Sequence, residues 1–152
     1  MVCRDPLARI LIVGDEDRLP YMRPPLSKEL WFMSDKDAVE DLRFKQWNGR
    51  ERSLYFEPPS FYTPVSELMD SPKGGISVLS GKKVVRVDPK AQVAFLSDGT
   101  QIGYDKCLIA TGGKPKSLPQ LDSLPEELKE HVTMFRRIDD FQSLDKIANS
   151  SK

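Results

Sequence analysis

"GGISVLSGKKVVRVDPKAQVAFLSDGTQIGYDKCLIATGG", residues 74–113, is the stretch whose reading decides the fold. Short runs rich in Val, Ile and Phe alternate with the turn signals Asp88-Pro89 and Asp98-Gly99. The pattern predicts strands over 76–79, 83–87, 92–96, 100–103 and 107–110. It reads as an antiparallel meander feeding one last buried strand that ends in Ala-Thr-Gly-Gly. Gly112 and Gly113 carry no side chain, so backbone there can approach a ligand closely.

Upstream, "ARILIVGDE" holds a compact apolar run, Ile10 to Val13, closed by Gly14 and followed by Asp15, Glu16 and Asp17. A run apolar on both faces suits a buried parallel strand. Next, "YMRPPLSKELW" places Pro24 and Pro25 at the start of a short helix over 26–31, since proline fixes φ and is tolerated in a first turn. Residues 34–75 form a long polar and aromatic excursion. It is expected to hold two short strands joined around Asn48-Gly49 and a short helix near "PVSELMD". Excursions of this length are usually functional, interactive or disordered. Downstream come a proline-marked loop, a polar helix around "PEELKEHV" and a helix over about 138–148, with Phe141, Leu144 and Ile147 on one face. No internal repeat is present.

The 152 residues have room for about one domain. Apolar residues make up 39% and charged residues 30%, but the apolar ones cluster in runs, so a packed core is expected. Lys plus Arg and Asp plus Glu are both 23, so no global field draws the chain to nucleic acid or membranes. Cys3 and Cys107 make neither a CxxC nor a metal-ligand spacing with His131, which argues against structural zinc or a dithiol centre. Cys107 is expected to pack as a small apolar residue in the last strand, and His131 to sit on a surface helix. No run reaches the ~18 apolar residues that span a bilayer, and "MVCRDPLAR" lacks the apolar core of a signal peptide. The segment reads as soluble.

An acid just after a buried strand is what a Rossmann half uses to accept hydrogen bonds from adenosine ribose hydroxyls; an ordinary solvated turn has the same composition. Asp15 and Glu16 both occupy that place.

Taken with "LPYMRPPLSKELW", "LRFKQWNGRERSLYFEPPSFY", "GKKVV" and "YDKCLIATGG", the chain resembles the flavin-binding pyridine-nucleotide-disulfide reductase class, among its members that act without a disulfide centre. The resemblance covers essentially the whole chain. It implies an α/β fold: an incomplete Rossmann-like FAD-binding domain with a β-meander, glutathione-reductase-like, lacking the first strand and GxGxxG turn. That motif would lie roughly 20 residues before the ribose acid, whereas 14 residues precede Asp15. Residues 1–137 are then a partial FAD-binding domain, with 34–75 as an excursion. Residues 138–152 are a helix leading toward an NAD-binding domain, and the chain is an internal piece of a larger flavoprotein, expected to bind FAD weakly or not at all alone.

The implied activity is that of an FAD-dependent NADH oxidoreductase serving mitochondrial maintenance and caspase-independent apoptosis. It would reside in the intermembrane space, with nuclear translocation and a redox-linked homodimer. By position, Asp15 or Glu16 is the ribose acceptor, Arg23 contacts FAD, Lys28 lies near the reactive edge of the flavin ring and Val84 meets the adenine through its backbone. Trp47 serves NAD binding or, equally, anchors the excursion. Lys106 and Lys116 match DNA-binding positions, though each also suits a solvated charge. An Arg fork suits a pyrophosphate, and a Lys point charge favours electron density on a reduced flavin. No residue is assigned as nucleophile, acid or metal ligand. A DNA- or protein-interaction module and a ferredoxin-reductase-like flavoprotein are the competing readings.

Overall fold

The computed structural model describes residues 5–150; Cys3 lies outside them. In chain order the strands are β1 (Arg9–Val13), β2 (Arg43–Lys45), β3 (Glu51–Ser53), β4 (Gly75–Leu79), β5 (Val84–Asp88), β6 (Val93–Leu96) and β7 (Gln101–Gly103). The helices are α1 (Lys36–Glu40), α2 (Pro119–Asp122), α3 (Glu126–Lys129) and α4 (Ile138–Ser150). Two compact units share the chain: residues 1–21 with 55–109, and residues 22–54 with 110–152.

In the first unit β1 pairs in parallel with β4, from Arg9 against Gly75 to Val13 against Leu79. The far half of the excursion is sewn to this pair. Thr63 donates its N–H to the Ile76 carbonyl at 2.8 Å, and the buried Ser77 hydroxyl donates to the Thr63 carbonyl at 2.7 Å. The Arg9 guanidinium donates to the Leu68 and Ser71 carbonyls at 3.1 and 3.2 Å. At Gly74 φ is +66°, and a Cβ would stand 2.5 Å from the Ala8 carbonyl oxygen, so only glycine lets the chain enter β4 beside the start of β1. β1 itself is half-buried rather than buried on both faces, with Ile12 exposed. Among the described residues it has one strand partner, and so narrow a sheet offers little area to cover.

The meander forms as expected: β5, β6 and β7 are consecutive antiparallel neighbours. Short carboxylates shape its turns, Asp88 accepting the N–H groups of Lys90 and Ala91, and Asp98 that of Thr100, all at 3.0 Å. The Arg86 guanidinium lies 3.7 Å from the Phe95 ring centroid. The strand expected over 107–110 does not form. Those residues join no ladder among the described residues; Leu108 and Ile109 are 81% and 71% exposed, and Cys107 is exposed rather than packed. An apolar run becomes a strand only when a neighbouring backbone takes up its donors and acceptors.

The core of the second unit is made by Leu26, Leu30, Ala38, Leu42, Phe44, Leu54, Ile138 and Phe141, all buried. The helix expected over 26–31 is instead two 3₁₀ turns, Pro24–Ser27 and Glu29–Phe32, broken at Lys28, whose φ and ψ of −135° and −98° are not helical. Two prolines at the start remove backbone donors, and short 3₁₀ turns satisfy the remainder locally. Trp31 seals the turn: Nε1–H donates to the Leu26 carbonyl at 2.6 Å, and its ring meets Phe141 edge-on at 5.0 Å. The β2–β3 hairpin closes through Asn48-Gly49 as expected, with Gly49 at φ +78°. Asp140 holds the start of α4, accepting the N–H groups of Arg136 and Arg137 at 2.8 and 2.7 Å. On the expected α4 face Phe141 is buried, Leu144 half-buried and Ile147 exposed, so the apolar stripe fades along the helix.

Candidate cofactor site

The acidic turn after β1 is fixed by the residues that follow β4. Gly14 donates to the Leu79 carbonyl at 3.1 Å and accepts from the Lys82 N–H at 2.9 Å, and the Glu16 carbonyl accepts from Gly81 at 3.0 Å. Ser80 Oγ donates to Asp17 Oδ1 at 3.0 Å. Asp15 is exposed at this turn, whereas Glu16 is half-buried and its Oε2 accepts the Tyr21 phenol proton. Tyr21 is itself steadied by a β-bridge to Tyr55, and Pro20 by a bond from the Phe56 N–H at 3.1 Å. Val84 opens β5 beside a bulge between Val84 and Arg86, which disturbs the regular ladder at that backbone.

In the second unit Arg23 Nη1 donates to the Arg136 carbonyl at 2.9 Å. Arg136 in turn projects its guanidinium against Gly112: at φ +65° that residue is in the left-handed region, and a Cβ there would meet Arg136 Nη2 at 2.5 Å. Arg136 belongs to the constellation although sequence reasoning did not single it out. Its signal was faint: two arginines one residue before two acids in "FRRIDD" read as ordinary helix-start charges. Only the fold brings Arg23, Gly112 and Arg136 together.

Lys28 and Glu29 line an open cavity of about 490 Å³ with Phe32, Met33, Ser34, Asp35 and Lys45. Glu29 Oε2 is buried with no hydrogen-bond partner among the described residues. Trp47, in the hairpin loop over 46–50, is 97% exposed, so the reading of it as a buried anchor is corrected: at the loop tip the ring has no neighbour to pack on. Phe32 is 87% exposed. Lys106, Lys116 and His131 are also exposed. Among the described residues no group of acids, cysteines and histidine is placed to hold a metal, and no helix is long and apolar enough to cross a membrane.

Electrostatic perturbation falls on the meander and its edge, and on Tyr62 of the excursion, which burial and the nearby Glu57 raise. The Ala91 N–H, beside lesser contributions from Lys90 and Arg86, holds the Asp88 carboxyl below its ordinary value, and Lys82 does the same to Asp98 across 2.8 Å. Burial, with the nearby Cys107 and Asp88, raises Tyr104. These shifts steady turns rather than activate a reacting group.

A parallel strand pair closed by an acidic turn, running straight into an antiparallel meander, makes this an α/β protein of nucleotide-binding type. The chain belongs to the pyridine nucleotide-disulphide oxidoreductase family, which it matches over residues 3–150. It is 48% identical over 95% of its length to a Drosophila melanogaster protein described as apoptosis-inducing factor 1, mitochondrial, and 34% identical over 92% to apoptosis-inducing factor 1, mitochondrial, of Dictyostelium discoideum. It spans 20% and 24% of the lengths of those two relatives. Among solved structures, the ferredoxin reductase for the CYP199A2 system from Rhodopseudomonas palustris superposes with a TM-score of 0.59, at 27% identity, covering 91% of this chain and 27% of that one.

Proposed function

We propose that these residues form part of the FAD-binding portion of an FAD-dependent NAD(P)H oxidoreductase. The observation that carries the reading is the Arg23–Arg136–Gly112 arrangement, in which a Cβ at position 112 would collide with Arg136 Nη2. The Arg23 guanidinium, anchored on the Arg136 carbonyl, and the Arg136 guanidinium beside bare Gly112 suit an anion of pyrophosphate type.

On this reading Arg23 and Arg136 hold the charged linkage of FAD, and Asp15 or Glu16 accepts from its adenosine ribose. The backbone at Val84 meets the adenine. Lys28 contributes positive charge near the flavin ring, and Trp47 offers a bare aromatic face to the nicotinamide of NAD(H). The chemistry FAD supplies when bound is the two-electron oxidation of NADH. The chain's own residues position and polarise; none needs to act as a nucleophile. Both apoptosis-inducing factor relatives are described as mitochondrial, which supports mitochondrial residence. The test is visible absorption of the longest natural polypeptide carrying this sequence: a yellow protein that NADH bleaches is expected. A colourless protein that FAD does not reconstitute overturns the reading.

A further inference from the structure

We propose that Asn48-Gly49, in the loop of the β2–β3 hairpin, is a self-modification site: the Gly49 nitrogen closes on the Asn48 side chain, ammonia leaves, and the isoaspartyl product unfastens the hairpin that carries Trp47. The chemistry belongs to the chain itself and needs no cofactor, so it stands apart from the flavin reading. Asn48, Gly49 and Arg50 are all exposed, and a Cβ on Gly49 would meet nothing within 4 Å. Having no side chain, Gly49 offers its nitrogen without a steric screen. The Arg50 N–H already donates to Asn48 Oδ1 at 3.0 Å. That bond draws electrons from Cγ and stabilises the charge that gathers on the oxygen as the nitrogen adds, as a backbone donor does at any developing oxyanion. One bond opposes the reaction, from the Gly49 N–H to the Gln46 carbonyl at 2.9 Å. It sits in an exposed loop between strands of three residues each, where local opening costs little.

In the first step hydroxide takes the Gly49 amide proton and the nitrogen bonds to Asn48 Cγ. The Cγ–Nδ2 bond breaks, and Nδ2 leaves as ammonia with a proton from water. Water then opens the cyclic imide: breaking the new N–Cγ bond yields aspartate, and breaking the old peptide bond yields isoaspartate, which routes the main chain through Cβ and Cγ. Nothing is oxidised or reduced, and a neutral amide becomes a carboxylate. An extra main-chain carbon in so short a loop disrupts the Gln46 N–H bond to the Arg50 carbonyl at 2.9 Å and the pairing of Lys45 with Glu51. Two comparable sites are held. Asn149, the other asparagine, lies in α4 with Nδ2 donating to the Asp145 carbonyl at 2.9 Å, and Ser150 follows it. Asp98-Gly99 closes the same ring only from a neutral carboxyl, which can lose water; Lys82 at 2.8 Å and the Thr100 N–H at 3.0 Å keep Asp98 ionised.

The test ages the longest natural polypeptide carrying this sequence, native and in urea, at neutral and mildly alkaline pH, and follows it by peptide mapping with mass spectrometry. Conversion of amide to acid is expected at Asn48, at a rate that rises with hydroxide and stands at least about tenfold above that at Asn149. Enzymatic methylation of the new carboxyl identifies the isoaspartyl fraction. A native protein that stays intact at Asn48 while the unfolded chain converts shows that the turn locks the residue, and that outcome overturns the proposal. So does faster conversion at Asn149. Hydrogen exchange reads the consequence: the isoaspartyl fraction is expected to lose protection at the Gln46 N–H, whereas Asn48→Asp keeps it because a carboxylate still accepts from the Arg50 N–H. Equal protection in aged and fresh protein overturns the unfastening. Asn48→Gln, whose longer side chain must close a larger ring, is expected to lose the mass change and keep the protection.

Discussion

Arg23 reaches across 113 positions of sequence to donate a hydrogen bond to the backbone carbonyl of Arg136. This bond ties the proline turn to the start of α4 and holds the Arg23 guanidinium at the Arg136 backbone. Arg23→Lys keeps the charge but loses the planar fork, so FAD affinity is expected to fall about tenfold or more, consistent with roughly 1.5–3 kcal/mol for a charge-assisted bond. Titration of apoprotein with FAD, followed by flavin fluorescence, reads the change.

Gly112→Ala places a methyl where Arg136 Nη2 now lies and forces a left-handed φ on an L-residue. The strain alone is about 1 kcal/mol. FAD affinity should fall together with stability, while Gly113→Ala, where a Cβ meets nothing within 4 Å, leaves both nearly unchanged. Parallel melting curves and FAD titrations of the two variants check the contrast.

Trp47 is so exposed that Trp47→Ala should shift unfolding free energy by no more than about 0.5 kcal/mol. NADH affinity is expected to weaken roughly two- to tenfold through loss of ring stacking. A variant with lower stability and unchanged NADH affinity would show that the ring is packed in solution.

Phe141 is buried against Trp31, so Phe141→Ala removes a core aromatic and its edge-on partner. The expected cost is about 3–5 kcal/mol, read from urea unfolding followed by tryptophan fluorescence.

Asp98 is held well below the ordinary carboxylate range, first by Lys82 and then by Thr100. A carboxyl depressed in the folded state stabilises above its unfolded value of 3.8, and that contribution is lost as pH falls through the folded value. Asp98→Asn should therefore lower the melting temperature at neutral pH and flatten its decline below about pH 4. Circular dichroism melts between pH 2 and 7 would show the two profiles converging at the acid end.

Periodicity and turn chemistry determined β1, the β2–β3 hairpin, the meander and α4, because each rests on local signals: an apolar run, Asn48-Gly49, Asp88-Pro89, Asp98-Gly99 and a helical stripe. The resemblance of the motifs pointed to the family and to Arg23, Lys28 and the acids at 15 and 16. Tertiary structure decided what depends on neighbours distant in sequence. The run at 107–110 stays unpaired because no described strand meets it, and 26–31 splits at Lys28 because two prolines and the Trp31–Leu26 bond favour 3₁₀ turns. Arg136 meets Arg23 through a single carbonyl, a contact between residues remote in sequence. Sequence records which groups are available; hydrogen bonds between remote backbone segments select which of them are held and which are presented.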